Sequence, residues 1–145
     1  VIIEKAKEGL RSGKLSRVKL SQLEGYHEEA SEAIIMAVLE GDRFAVELFS
    51  EAGYNIGRGV AILIHILNPE IIILSGRGST AGKIWQAPIQ QALNEQCIPR
   101  LAANTVVEIS TLGYQAELIG AAALVMDNYE KEMVKKNLAE ESEHI

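Results

Sequence analysis

The chain has 145 residues, a net charge of −6 and a hydrophobic fraction of 48%, which is the composition of one globular domain. Its acidic surface disfavours direct nucleic-acid binding, and its single cysteine, Cys97, excludes an internal disulfide and a CxxC metal site. No apolar run approaches the roughly 18 residues of a membrane span, and there is no secretory signal, so we expect a cytoplasmic protein without membrane contact.

Helices are predicted along the first third of the chain. Apolar residues recur at helical spacing over 1–10 and 28–40, and a connector over 15–23 separates the two segments. Gly41 can adopt the left-handed conformation that ends a helix, and Asp42 can cap the next one. We expect the third helix to begin at Asp42, with Leu67 as its furthest possible end.

Three glycines interrupt this third helix, at Gly53, Gly57 and Gly59. Each costs about 1 kcal/mol relative to alanine inside a helix, so another interaction must offset them. Close packing against a neighbouring helix is the favoured explanation. The alternative is the approach of a ligand to the backbone.

The centre of the chain is its most apolar part. Residues 60–67 contain one polar side chain, His65, so we expect a helix buried on nearly all sides, with His65 in the core or at an interface. Pro69 ends this helix because it disfavours the helical conformation of the preceding residue. Residues 71–74 predict a strand covered on both faces, and residues 75–79 a glycine-rich loop that can approach a ligand.

The second half continues the alternation of helix and strand. A helix is predicted over 80–96, in which Pro88 either kinks the helix or starts a second segment. A strand follows over 105–110. A helix follows over 115–129, and we expect its apolar face, with Leu118, Ala122, Val125 and Met126, to be buried. We expect the charged tail, residues 130–145, to be a helix that either packs on another surface or frays.

Two strands rarely make a self-sufficient sheet. We therefore predict that residues 1–145 are one domain, at the end of an α/β domain whose earlier strands precede this chain. The first residue is Val1 rather than methionine, which fits a fragment of a longer protein.

Residues 76–81 match the dinucleotide fingerprint G-x-G-x-x-A between a strand and a helix. The acidic residue that the fingerprint requires at the end of the next strand is replaced by Ser110 and Thr111, which argues against an NAD site. A Walker P-loop is excluded because Gly82-Lys83 is followed by Ile84.

No catalytic constellation is predicted. His27, His65 and His144 have no partner at metal-ligand or triad spacing, and Ser75 and Ser79 lack the G-x-S-x-G context of a nucleophile. The paired carboxylates fall in charged, solvated stretches. We expect neither a catalytic residue nor a metal site.

Two segments together resemble the ROK family of repressors, unassigned reading frames and sugar kinases. The first runs over residues 53–78, GYNIGRGVAILIHILNPEIIILSGRG, and the second over 112–122, LGYQAELIGAA. The resemblance covers about 20–126, with a helical tail over 127–145. It implies a helix-rich α/β fold, the C-terminal portion of an actin-like ATPase (ribonuclease H-like) domain with few strands.

In ROK kinases the glycine loop and the alanine-rich helix border the adenosine of ATP. Carried over, this implies vestigial nucleotide-binding positions at Gly76, Gly78, Ser79 and Gly120. Arg77 replaces the middle glycine of the family loop, and a bulky cation there argues against ATP binding.

The resemblance implies the C-terminal effector-binding and dimerisation portion of a sugar-responsive transcriptional regulator of carbohydrate metabolism. Such a portion is not catalytic alone and has no cofactor of its own. Its partners would be a second copy in a homodimer, a sugar or sugar-phosphate effector bound through the upstream part, and DNA bound through a further upstream domain. One alternative is the C-terminal half of a glucokinase-like sugar kinase that uses ATP and Mg²⁺. Another is a helical interaction module.

Overall fold

The computed structural model describes the backbone of residues 1–142 and the side chains of residues 1–129, 131 and 133. Two short strands form one parallel sheet among predominantly helical elements. The helices are α1 (Ile2–Arg11), α2 (Leu20–Leu23), α3 (His27–Leu39), α4 (Arg43–Leu67), α5 (Gly82–Gln96), α6 (Pro99–Ala102) and α7 (Gln115–Ser142). The strands are β1 (Ile71–Leu74) and β2 (Val106–Ile109), and a 3₁₀ turn (Arg77–Ala81) precedes α5.

The predicted helices and strands are confirmed, with differences at α5 and α7, and the short helix α6 was not predicted. The 3₁₀ turn delays the start of α5 to Gly82. Helix α5 passes through Pro88 unbroken, so this proline does not start a second segment. Helix α7 extends to Ser142, which joins the predicted helix and most of the tail into one element; residues 143–145 lie outside the described part of the chain.

The sheet is covered on one face. Strands β1 and β2 pair in parallel over all four residues of each strand. Ile72 and Leu74 pack on the core, whereas Ile71 and Ile73 are 48% and 60% exposed on the outer face. The prediction of cover on both faces is therefore wrong for this chain, because its helices cover only the inner one.

The apolar end of α4 is likewise buried on one side. Val60, Ala61 and Ile64 are buried, but Ile62 and Ile66 are 58% and 72% exposed. The prediction of burial on nearly all sides is wrong, because the described part of the chain packs against only one side of this helix.

The first half of α7 is apolar and exposed. Leu118, Val125 and Met126 share one predicted buried face, yet each is more than 60% exposed. No helix in the described residues is long and apolar enough to cross a membrane. We call the outer face of the sheet, the exposed side of the α4 end and the first half of α7 the uncovered apolar surfaces.

The core lies among α1 to α5. Its largest fully buried side chains are Leu23, Ile34, Val38 and Ile64. Cys97 is a free, buried thiol at the end of α5, where it packs in the core as a small hydrophobe.

Helices α4 and α5 approach each other closely at two glycines. A methyl group on Gly57 would lie 2.7 Å from Cβ of Ala92 and 2.8 Å from the carbonyl oxygen of Ile89. A methyl group on Gly53 would lie 2.9 Å from Cγ of Pro88. Close packing therefore explains both glycines. Gly59 faces open space, and nothing in the structure explains it.

Asp42 holds the start of α4. Its carboxylate accepts hydrogen bonds from the N–H of Ala45 (2.9 Å), the N–H of Arg17 (2.7 Å) and the hydroxyl of Ser16 (3.0 Å). Burial acts to raise the pKa of Asp42, but these hydrogen bonds outweigh it and the pKa is lowered. One side chain thus caps α4 and ties it to the connector that follows α1.

We expect Asp42→Ala to lower the free energy of unfolding at neutral pH by about 1–3 kcal/mol, because a cap and two further hydrogen bonds are lost. Since the folded pKa is lowered, the stabilisation is present above the unfolded pKa and is lost as the pH falls through the folded value. Urea titrations across pH 3–7 measure the free energy of unfolding of variant and wild type, and the difference between the two should become smaller in acid. Asp127→Ala, which removes an exposed pair with Lys131, is the control; an equal loss in both variants would contradict the prediction.

We expect Gly57→Ala to destabilise the protein by about 1–3 kcal/mol, because its methyl group meets the backbone of α5. Gly59→Ala is the matched control on the same helix, and it should be neutral or stabilising by up to about 1 kcal/mol. Thermal unfolding compares the two variants. Equal effects would rule out close packing as the reason for Gly57.

Candidate functional site

A crevice of about 590 Å³ lies where the glycine loop meets the end of β2. It is lined by residues 79–84 and 109–111, with Leu39 from α3 and Gln86 from α5. In open α/β sheets, ligands bind outside the carboxyl ends of the strands, and this crevice occupies that position. It is the candidate site.

The glycine loop is held by its own hydrogen bonds. Gly76 has φ +101°, a conformation that side-chain-bearing residues rarely adopt. The hydroxyl of Ser79 donates to the carbonyl oxygen of Gly76 at 2.7 Å, and that of Thr80 donates to the carbonyl oxygen of Arg77 at 2.8 Å. The buried Ser79 hydroxyl therefore closes the loop by donating its hydrogen bond to the loop backbone.

The other glycines around the loop make room for neighbouring side chains. A methyl group on Gly78 would lie 2.7 Å from Cζ2 of Trp85 and closer still to Cη2. One on Gly82 would lie 2.5 Å from Cγ2 of Ile109, where α5 starts against the end of β2. The glycine spacing thus has an explanation within the chain, independent of a bound nucleotide.

Arg77 points away from the crevice. Its guanidinium pairs with the carboxylate of Glu28 on α3, and its side chain lines the grooves beside α3. The loop backbone is therefore not blocked by a cation on its crevice side. The steric objection to a nucleotide that was expected from Arg77 does not apply to this conformation.

The four predicted nucleotide-binding positions are only partly brought together. Ser79 lines the crevice, whereas Gly76 and Gly78 belong to the loop but are not among its lining residues. Gly120 lies on α7, outside the lining and with open space around it. The segment 109–111 was missed; its position after a predicted parallel strand, beside a glycine loop, was the signal that could have found it.

The crevice offers binding groups rather than reactive ones. Its described lining combines apolar side chains with the hydroxyls of Ser79, Thr80, Ser110 and Thr111, and Lys83 is its one charged residue. A cation and several hydroxyls suit a polar or anionic ligand. This lining contains no carboxylate and no histidine.

The histidines lie elsewhere. His65 is exposed rather than in the core, and its Nε2 accepts a hydrogen bond from the N–H of Ile98 at 3.1 Å. His27 begins α3, and His144 falls outside the described residues. Within residues 1–142 the described side chains form no group of three or more metal-ligating residues that could hold an ion.

Comparison with known proteins identifies both kinases and regulators as relatives. A glucokinase of Halalkalibacterium halodurans is 35% identical over 107 residues, which are 74% of this chain and 32% of that protein. The DNA-binding transcriptional dual regulator NagC of Escherichia coli K12 is 31% identical over 116 residues, 80% of this chain and 27% of NagC. The chain thus spans less than a third of these curated relatives.

The fold has a solved counterpart. A ROK family glucokinase from Streptomyces griseus in complex with glucose and AMPPNP superposes with a TM-score of 0.67 and 26% identity, over 85% of this chain and 40% of that one. The model of the ROK family matches residues 7–128. The chain belongs to the ROK family, and its helix-rich α/β fold is part of the actin-like fold of ROK sugar kinases and regulators.

Proposed function

We propose that this chain is the C-terminal effector-binding and dimerisation portion of a sugar-responsive ROK transcriptional regulator and is not catalytic alone. The observation that carries the proposal is the set of uncovered apolar surfaces, which fit a portion that packs against an upstream part and a second copy. The ROK relative NagC is a DNA-binding regulator.

The uncovered apolar surfaces support a role as one part of a larger assembly. Ile73, Ile66 and Leu118 are each at least 60% exposed, on three different elements. Apolar surfaces of this extent on a soluble domain mark contacts with other protein. We assign them to the upstream part of the regulator, which carries the sugar or sugar-phosphate effector and the DNA-binding domain, and to a second copy in a homodimer.

The loop sequence also favours a regulator. Ser75 and Arg77 depart from the glycine loop of the family, and Arg77 is engaged by Glu28 on α3.

We expect the 145-residue chain, incubated with ATP, Mg²⁺ and hexoses, to form no sugar phosphate. Sequencing the reading frame upstream of Val1 then separates the branches. A winged-helix segment followed by a degraded phosphate loop would support the regulator. An intact phosphate loop without a DNA-binding segment would identify a kinase and overturn the proposal, as would phosphorylation by the chain alone.

A second candidate function is the nucleotide-binding half of a ROK sugar kinase, with ATP and Mg²⁺ as its cofactors. The observation in its favour is the direction of Arg77, which leaves the crevice side of the loop open. The crevice would then hold the adenosine, beside residues 79–84.

In that case ADP should raise the melting temperature of the chain, because it binds the folded state alone. Lys83→Glu should abolish the shift, since it reverses the one charge in the described lining of the crevice. Lys131→Glu, on α7 and outside that lining, is the charge-matched control and should retain the shift. No shift in the wild-type chain at millimolar ADP would remove this candidate.

A further inference from the structure

Trp85, the single tryptophan of the chain, lies between α4 and the glycine loop. It is 8% exposed on the first turn of α5. Its Cδ1 atom is 2.9 Å from where a methyl group on Gly53 would stand, on α4. At the opposite edge of the indole, the six-membered ring occupies the space that a methyl group on Gly78 would need. One flat side chain thus spans the gap from helix to loop.

Shape rather than hydrogen bonding holds the indole in place. The ring stacks on Phe49 with centroids 5.4 Å apart and planes 14° apart, which sets its orientation. Its Nε1–H is buried and has no acceptor among the described residues. An unpaired buried donor is unfavourable, so the packing of the ring must outweigh it.

We propose that Trp85 is the positioning residue of the glycine loop, and that Gly78 is a glycine because the indole lies beneath it. The loop passes over the six-membered ring, and its next residues, 79–82, form one wall of the crevice. The indole therefore sets where that wall stands. This inference concerns the loop itself and goes beyond the proposed function, since it is independent of which ligand the crevice binds.

The local hydrogen bonds of the loop cannot do this alone. The contact from Ser79 to Gly76 curls the loop on itself but does not join it to another element. The pair of Arg77 with Glu28 joins the loop to α3 through two exposed side chains, which hold weakly. The buried indole is a rigid support beside the buried Ala81, and it joins the loop to α4 through Gly53 and Phe49.

A double-mutant cycle tests the contact. Gly78→Ala should lower the melting temperature by about 5–10 °C, because its methyl group overlaps the indole. In the Trp85→Phe background, whose shorter side chain lacks the distal ring of the indole beneath the loop, Gly78→Ala should lower the melting temperature much less. Gly59→Ala, whose methyl group would lie in open space, should change the melting temperature by the same amount in both backgrounds. If Gly78→Ala is equally costly with either residue at position 85, the contact is not the reason for this glycine and the proposal fails.

Amide hydrogen exchange of the Trp85→Phe variant separates positioning from general packing. Positioning predicts exchange about tenfold faster at residues 76–82, with residues 60–67 at the far end of α4 nearly unchanged, because the opening is local. A uniform rise across the chain, or no rise at the loop, would reduce Trp85 to an ordinary core residue and overturn the proposal. If Trp85→Phe does not fold, Trp85→Leu, which also lacks the distal ring of the indole, takes its place in both measurements.

Discussion

The close contact between α4 and α5 is the constraint on which the rest of the structure depends. Because Gly53 and Gly57 carry no side chain, the two helices meet through backbone and small side chains. This brings Trp85 against α4 at one edge and under the glycine loop at the other. Helix α4 leads into β1, and α5 leads through α6 into β2, so the same contact also places the strand ends that border the crevice.

Local chemistry made most of the element boundaries predictable. Gly41 and Asp42 act within one helical turn, and Pro69 acts on its immediate neighbour, so the limits of α4 follow from a few residues. The burial of side chains was less predictable, because it depends on residues that are far apart in the sequence. The apolar runs of β1 and α7 were correctly assigned to their elements, but the runs themselves do not show which of their faces are covered.

The candidate site divides in the same way. The glycine loop and the family were visible in the sequence, because the spacing of the glycines reflects the turn from strand to helix. The direction of Arg77 was not visible, since its partner Glu28 lies 49 residues away on another helix. The role of Gly78 was hidden for the same reason: a motif shows where small residues recur, and only the packed structure shows that an indole fills the space.

The position of Trp85 gives the protein an internal optical probe. It is the single tryptophan among 145 residues, so the indole emission of the chain comes from one place, directly beneath the loop that borders the crevice. A buried indole stacked on Phe49 emits from a dry environment, and its spectrum changes when water reaches the ring. Movements of the loop can therefore be followed by intrinsic fluorescence, without a label and without altering any residue of the site.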